Sequence, residues 1–450
     1  MLYLRRRKRV MSKLSGMESE RCVLMKTNKI SINDNCVGCN LCILSCPCNE
    51  ANVVQVTEGK RRVYVDESKC ITCGECLRTC THEARDYSDD TKRFFEDIKN
   101  GKAIPMIVAP ALRCNVPEWP RLLAYLKSLG VNPIYDASYG ADICTWGYLR
   151  YIDANNPEGL ISQPCPSIVN YVERYIPELL YRLAPFHSPV MCVAIYMKKY
   201  KNIQGPYAFL SPCIAKGDEF ADPNTGGLIG YNITFKKLIE RLEKEVDYRE
   251  YDPAEYDNPP HGLGAIYPKP GGLKMNVEQH VKGKWIFKME GQPRASSFLH
   301  EYARERSDSP FLVDILSCSG GCNSGPGACC TEQMEYAIDK SMHKIQKDEI
   351  PVAKPDFSQF DKELNLGDFL RQYTPKKIMP IFVDRHEMEN AFVALHKPSH
   401  EFRTTDCRYC GYTTCQEMAV AVAKGINQVE NCVDYLRHEI MLKRKGELND

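Results

Sequence analysis

Cys36-Val37-Gly38-Cys39-Asn40-Leu41-Cys42-Ile43-Leu44-Ser45-Cys46-Pro47 sets four cysteines at the spacing C-x2-C-x2-C-x3-C. The spacing returns at Cys70, Cys73, Cys76 and Cys80, with Thr81 where the proline stood. Three thiolates on a tight loop can each reach one iron of a four-iron cubane, while the fourth, at the start of a helix, reaches over to the other cluster. The pattern assigns Cys36, Cys39, Cys42 and Cys80 to one 4Fe-4S cluster, and Cys70, Cys73, Cys76 and Cys46 to a second. Structural zinc is the competing reading, but zinc sites normally pair two C-x2-C knuckles and do not double a three-plus-one pattern. Between the groups, Val53–Val56 and Val63–Val65 read as short strands around the turn Glu58-Gly59-Lys60.

Together the two groups read as a two-cluster ferredoxin. The chain around it has 450 residues, room for about three domains. Its 59 basic and 58 acidic residues leave a net charge of +1, so no field favours nucleic acid as the main partner. No apolar run approaches the roughly 20 residues of a membrane-spanning helix, and Met1–Val10 is basic without the apolar core of a secretory signal. No membrane insertion is expected, and the cytoplasm is the simplest location. There, 23 cysteines point to metal binding or redox chemistry, because a reducing compartment keeps thiols out of disulfides.

From Pro105 to about Tyr373 apolar runs alternate with helical stretches. Strands are expected at Met106–Ala111, Val131–Tyr135, Ala208–Leu210 and Phe311–Leu316, and helices at Glu118–Leu129, Ser167–Leu183, Thr234–Glu243 and Glu332–Gln346. Such alternation predicts an α/β domain with a parallel sheet whose functional loops lie at the strands' carboxyl ends. The Pro- and Gly-rich segment Tyr251–Gly272 reads as a surface insertion. A third cysteine group, Cys407, Cys410, Cys415 and Cys432, has a helix-like run Gln416–Ala423 in its long gap. It resembles the small 4Fe-4S domain of corrinoid and electron-transport iron–sulfur proteins, with zinc as the alternative.

The domain expectation is a basic tail (1–29), a ferredoxin domain (30–95), an α/β domain (100–375), a linker or packing strap (376–399) and a small α-helical 4Fe-4S domain with a charged helical tail (400–450). Arg5–Arg9 belongs to that tail, or to sequence upstream of a real start at Met11 or Met17.

The α/β region carries four scattered cysteines. Cys165 lies in Ser162-Gln163-Pro164-Cys165-Pro166, Cys213 in Ser211-Pro212-Cys213-Ile214-Ala215-Lys216-Gly217-Asp218-Glu219, and Cys318 and Cys322 in Leu316-Ser317-Cys318-Ser319-Gly320-Gly321-Cys322. In this order the stretches resemble the three signatures of the FeFe hydrogenase catalytic domain, T-S-C-C-P, P-C-x-x-K-x-x-E and M-x-C-x-G-G-C. Val108–Arg113 and Tyr139–Asp142 match two further segments, and the resemblance covers roughly residues 30 to 375.

The resemblance implies a cubane on Cys165, Cys213, Cys318 and Cys322, the last thiolate also bridging to a diiron unit with CO, cyanide and a bridging dithiolate. Four 4Fe-4S clusters then follow in all. It implies that Lys216 and backbone groups near Pro110 and Ala111 meet the cyanides, that Gly320 and Gly321 let backbone approach the cluster, and that Lys216, Glu219 and Cys322 form the catalytic set, with a structural helix-start carboxylate as the competing reading of Glu219. Dihydrogen and protons would be the substrates. A ferredoxin or a signalling protein would exchange electrons, and a maturation machinery would supply the diiron unit.

The departures bear on rate. The cysteine that hands protons to the site in fast members is Pro164 here, and the relay carboxylates would fall at Gly147, Tyr148 and Tyr151. Two pocket methionines become Ser211 and Leu316. The reading is a slow, sensory or regulatory member. The rivals are a full-speed hydrogenase with another proton path, and an iron–sulfur assembly or electron-transfer protein without the diiron unit. Seven cysteines stay unassigned: Cys22, Cys48, Cys114, Cys144, Cys192, Cys329 and Cys330. Cys144 or Cys192 could substitute in the proton route, and Cys329–Cys330 could be a redox pair.

Overall fold

The computed structural model describes residues 29–48, 50–57, 59–305, 308–348, 356–379 and 381–444. The basic run, Met11, Met17, Cys22, Glu58 of the expected turn and the last six residues of the charged tail lie outside them. The chain divides into two units: residues 1–70, 75–88 and 378–450 form one, and residues 71–74 and 89–377 the other.

In the first unit β1 (Ile30–Ile32) pairs antiparallel with β4 (Arg85–Tyr87), and β2 (Asn52–Thr57) forms a hairpin with β3 (Lys60–Val65). Alternation sends Val54, Val63 and Val65 inward, as β-branched residues on a half-buried ribbon require. Single helical turns, Leu41–Leu44 and Glu75–Arg78, follow the first cysteines of each group. The fourth cysteines, Cys46 and Cys80, come after these turns, not at a helix start, because C-x3-C spans about one turn and the chain leaves it there.

The segment 376–399, expected as a linker or strap, contains a helix, Arg385–Ala394, started by a capping box of Asp384 and Glu387. It packs on Cys415–Ala423, which has its own capping box from Thr414 and Glu417. A final helix, Val433–Arg444, closes the unit.

The second unit holds two parallel sheets. One has the order β6 (Ile134–Asp136), β5 (Met106–Val108), β8 (Tyr207–Ser211), β9 (Ile229–Thr234); the other has β10 (Ile286–Glu290), β11 (Leu312–Leu316), β7 (Leu160–Ile161). β5, β8 and β11 are buried along their whole length, as strands covered on both faces must be. The expected strands and helices are present with ends moved by a few residues. The run Ser167–Leu183 divides into a helix Pro166–Tyr175 and a 3-10 turn Pro177–Arg182, with Pro177 interrupting the backbone ladder. Two helices lacked a clear sequence signal, Ala137–Asn155 and Pro189–Tyr200, because both are buried around most of their circumference. They cross closely at Gly140, where a Cβ would lie 2.1 Å from the Pro189 carbonyl oxygen.

Candidate functional site

The loops after β5, β7, β8 and β11, all at carboxyl ends, enclose an open-mouthed cavity of about 970 Å³. Its wall contains Cys165, Cys213, Cys318 and Cys322 together with Pro110, Ala111, Pro164, Lys216 and Gly321. The four cysteines come from three separate stretches of sequence, and the sheets bring them together because parallel strands end on one side. The Ser211 hydroxyl accepts from the Cys213 amide at 2.9 Å, and the Cys322 amide donates to the Pro268 carbonyl at 2.9 Å. Burial pushes the Cys213 thiol up to about 12 and raises Cys165 and Cys322 as well. The thiols therefore hold their protons until a metal displaces them.

Lys216 Nζ donates to Glu219 Oε2, to the Ser188 hydroxyl at 3.1 Å and to the Pro164 carbonyl at 3.3 Å. Glu219 is buried behind the lysine and does not line the cavity. Burial alone would raise its pKa, but Lys216 and Arg371 hold it below the usual carboxylate range. Charges continue outward: Arg371 Nη1 is 3.5 Å from Glu219, its Nη2 is 3.2 Å from Asp222, and Lys376, which is partly exposed, reaches Asp222 at 3.5 Å and Glu173 at 2.7 Å.

Gly321 stands in the cavity wall and Gly320 beside it. Both have φ above +70°. A Cβ on Gly321 would lie 2.2 Å from the Pro268 carbonyl oxygen and one on Gly320 2.7 Å from the Ser324 hydroxyl, so their missing side chains also let the loop close.

The altered relay positions are filled by packing. A Cβ on Gly147 already meets the Phe186 ring at 3.0 Å, and the Tyr148 and Tyr151 rings lie 5.5 and 5.8 Å from that of Phe186. The Tyr148 hydroxyl donates to the Gln163 side chain. Cys144 and Cys192 are buried behind this group, and both thiols face the His187 carbonyl, at 3.7 and 3.5 Å; neither lines the cavity. Cys329 is exposed, whereas Cys330 is buried with its thiol on the Cys114 carbonyl.

Sequence reasoning missed two residues here, Asp314 and Asn323, and did not place Cys73, which it assigned to the second cluster, in this wall. Asp314, on β11, is the single carboxyl among the described residues lining the cavity; burial raises it to about 6, and the Lys274 amide donates to it at 2.9 Å. An acidic residue inside an otherwise apolar strand was the available signal. Cys73 also stands in the wall, on a loop whose Thr72 hydroxyl donates to Asp218 at 2.6 Å. The Asn323 side chain, next to Cys322, is fully buried with both polar atoms unpaired. An orphaned amide beside a ring of thiols fits a site built around a group that offers it partners.

In the first unit, Cys407, Cys410, Cys415 and Cys432 ring a second cavity of about 300 Å³, with Lys397 in its wall. Lys397 is 1% exposed and its Nζ donates to Asp434 at 2.7 Å and to the Phe402 carbonyl at 2.8 Å. At the first cysteine group, Arg85 Nη2 lies 3.2 Å from Cys42 Sγ, and its Nη1 is buried without a partner. That stranded donor suits a cluster's sulfides. Among the described residues no three candidate ligands meet closely enough to hold one ion; a polynuclear cluster instead needs thiolates spread around its core.

The family profile for the iron-only hydrogenase large subunit, C-terminal domain, matches residues 102–326, half of the chain. The chain belongs to the iron-only hydrogenase family. Around its hydrogenase domain, a 4Fe-4S dicluster domain matches residues 35–84 and a putative Fe-S cluster domain residues 404–433, so the iron–sulfur character extends to both ends. The chain is similar to iron hydrogenase 1 of Clostridium pasteurianum, 25% identical over 60% of this chain and 66% of that protein. The chain thus spans just under two thirds of that relative. It is also similar to the periplasmic [Fe] hydrogenase large subunit of Nitratidesulfovibrio vulgaris, 24% identical over 63% of this chain and 90% of that one. An FeFe hydrogenase structure from Chlamydomonas reinhardtii covers 65% of this chain and all of its own, with a TM-score of 0.52 at 16% identity, a likeness of fold. No helix among the described residues is long and apolar enough to cross a membrane.

Proposed function

We propose that this iron-only hydrogenase relative is an oxidoreductase that interconverts dihydrogen with protons and electrons, slowly, in a sensory or regulatory role in the cytoplasm. The carrying observation is one cavity whose wall brings together Cys165, Cys213, Cys318, Cys322 and Lys216, with Pro164 where fast members have a proton-bearing thiol. Cys165, Cys213, Cys318 and Cys322 would hold a cubane, and Cys322 would also hold the diiron unit. When bound, that unit with its CO, cyanide and dithiolate ligands supplies the site of dihydrogen chemistry, and the cubanes of the other three cysteine groups store electrons.

The chain's own residues do the rest. Lys216 Nζ has three acceptors, of which the Pro164 carbonyl is the longest and most easily exchanged for an anionic ligand. Glu219 and Ser188 aim the ammonium into the wall. Pro164 offers neither a thiol nor an amide proton, so proton delivery lacks its first step. Among the described wall residues, Asp314 is the carboxyl able to hold a proton. A one-electron carrier such as a ferredoxin, or a signalling protein, would take the electrons, and a maturation machinery would insert the diiron unit.

Infrared spectroscopy of matured protein tests this reading. CO and cyanide bands are expected, absent in Cys322→Ala and weakened or broadened in Lys216→Ala, with iron near 16 atoms before maturation and about two more after. Matured protein without such bands would instead support the electron-transfer or assembly reading.

A further inference from the structure

Asn40 and Asn431 are interior asparagines, 2% and 0% exposed. A buried amide is costly unless bonded, and these two bond each other in both directions. Asn40 Nδ2 donates to Asn431 Oδ1 at 2.8 Å, and Asn431 Nδ2 returns to Asn40 Oδ1 at 3.2 Å. Asn40 Nδ2 also donates to the Tyr409 carbonyl at 3.1 Å, and Asn431 Nδ2 reaches the Cys410 carbonyl at 3.5 Å.

The positions matter as much as the bonds. Asn40 directly follows Cys39, Asn431 directly precedes Cys432, and Tyr409 lies between Cys407 and Cys410. The pair therefore joins a thiolate loop of the first cysteine group to two thiolate segments of the last, with each asparagine adjacent in sequence to a cysteine. Gly411 secures the approach: at φ +87° a Cβ would lie 2.7 Å from Ile43 Cβ and 2.9 Å from the Asn40 carbonyl oxygen. The Val54 amide donates to the Ile426 carbonyl at 2.9 Å, and Lys424 pairs with Glu50, so the seam is held along its length. Cys407 is exposed, which leaves the C-terminal thiolates open to an outside carrier.

We propose that the Asn40–Asn431 pair is an electron-exchange contact between the C-terminal cluster and the first N-terminal cluster, making the C-terminal site an electron port of this chain. The inference rests on the cluster reading of both cysteine groups. Its step is one electron moving between two centres, one oxidised as the other is reduced, with no proton or bond transferred. The outside reactant is a one-electron carrier.

The test uses the full chain reduced with dithionite, its iron and zinc counted and its paramagnetic resonance recorded. Signals of the first N-terminal cluster should be broadened by the C-terminal spin, and Cys432→Ser should remove that broadening with loss of about four irons. Asn431→Leu should keep all the iron yet slow electron equilibration between the two clusters after a rapid partial reduction, and Asn431→Gln should restore part of the rate. First-cluster signals identical with and without a loaded C-terminal site overturn the contact while leaving the cluster reading intact. Stoichiometric zinc at the C-terminal site overturns both.

Discussion

Two cavities among the described residues are walled by cysteines and a buried lysine, four cysteines in the C-terminal one and five in the other, and they are built to different ends. The C-terminal one is the smaller, about 300 Å³ counting the solvent at its mouth, and its lysine, Lys397, is clamped between Asp434 and the Phe402 carbonyl. The one at the ends of the parallel strands is larger, about 970 Å³ counted the same way, and its lysine leans on a weak third acceptor, the Pro164 carbonyl, at the head of a charged chain reaching Lys376. A similar inventory of thiols and one ammonium is closed tightly in a site suited to electron storage. In the other it is left with spare room and an adjustable donor, which is what binding a further group asks for. Each difference can be broken by a substitution.

The largest expected effect is on rate. A placed proton donor contributes about 10² to 10⁴ in rate, so wild-type turnover with an artificial reductant should fall below fast family members by a factor in that range. Pro164→Cys should recover part of it only. The new thiol would face Gly147, Tyr148 and Tyr151, whose space Phe186 already fills. Wild-type turnover within tenfold of a fast member would sink the slow reading and turn attention to Asp314, since Cys144 and Cys192 do not reach the cavity.

The second effect is on the small cavity. Removing one partner of a buried ion pair costs about 3–5 kcal/mol, and Asp434 keeps some water contact, so Lys397→Ala should cost about 3 kcal/mol. Urea denaturation followed at the C-terminal cluster's absorbance would measure it. A change below about 1 kcal/mol, as surface pairs give, would mean that the clamp contributes little and that the two lysines differ less than their surroundings suggest.

How much of this was legible before any coordinates follows from the kind of signal each residue carries. The two N-terminal cysteine groups were plain because ligand spacing is local: four thiols within a dozen residues have few other uses. The cavity's four cysteines lie far apart, and only the resemblance joined them; strand polarity then brought them together. Asn40, Asn431 and Asp314 were silent because a buried polar group is defined by its partner, and each partner lies hundreds of residues away or on a backbone amide. The crowding at Gly321 was silent for the same reason, since the strap beside it, Pro268–Pro270, is remote in sequence.

The third effect concerns pH at the larger cavity's back wall. Burial, with Arg371 adding to it, lowers His187 from 6.5 to about 4. Its Nδ1 is buried without a partner. The unfolded chain therefore binds the proton first. The folded state's advantage from this group is complete above pH 6.5 and is lost as pH falls toward 4, at a cost reaching roughly 3 kcal/mol. His187→Leu should flatten that part of the urea-midpoint profile between pH 7.5 and 5 without moving the C-terminal unfolding signal. An unchanged slope would place the acid sensitivity elsewhere.

The smallest effect returns to electrons. Arg85 Nη2 donates toward Cys42 Sγ at 3.2 Å and also bonds Asn52, while Cys76 of the second group feels its charge at longer range. A cationic donor to a ligating sulfur favours the reduced, more negative cluster, so Arg85→Gln should lower the first cluster's potential, and the second cluster's by less. Arg85→Lys keeps the charge but loses the planar fork and should fall between wild type and Arg85→Gln. The C-terminal cysteines have partners of their own, the Lys397 charge beside Cys432 and Cys415 and the Asp406 amide donating to Cys415 Sγ at 3.4 Å, none of which the substitution touches, so that site's potential should stay where it was. A redox titration followed by paramagnetic resonance separates the three. Equal shifts at all of them would mean that Arg85 acts through the overall charge of the unit and not through its bond to Cys42, and the separate tuning of the first and C-terminal sites by their own neighbours would fall.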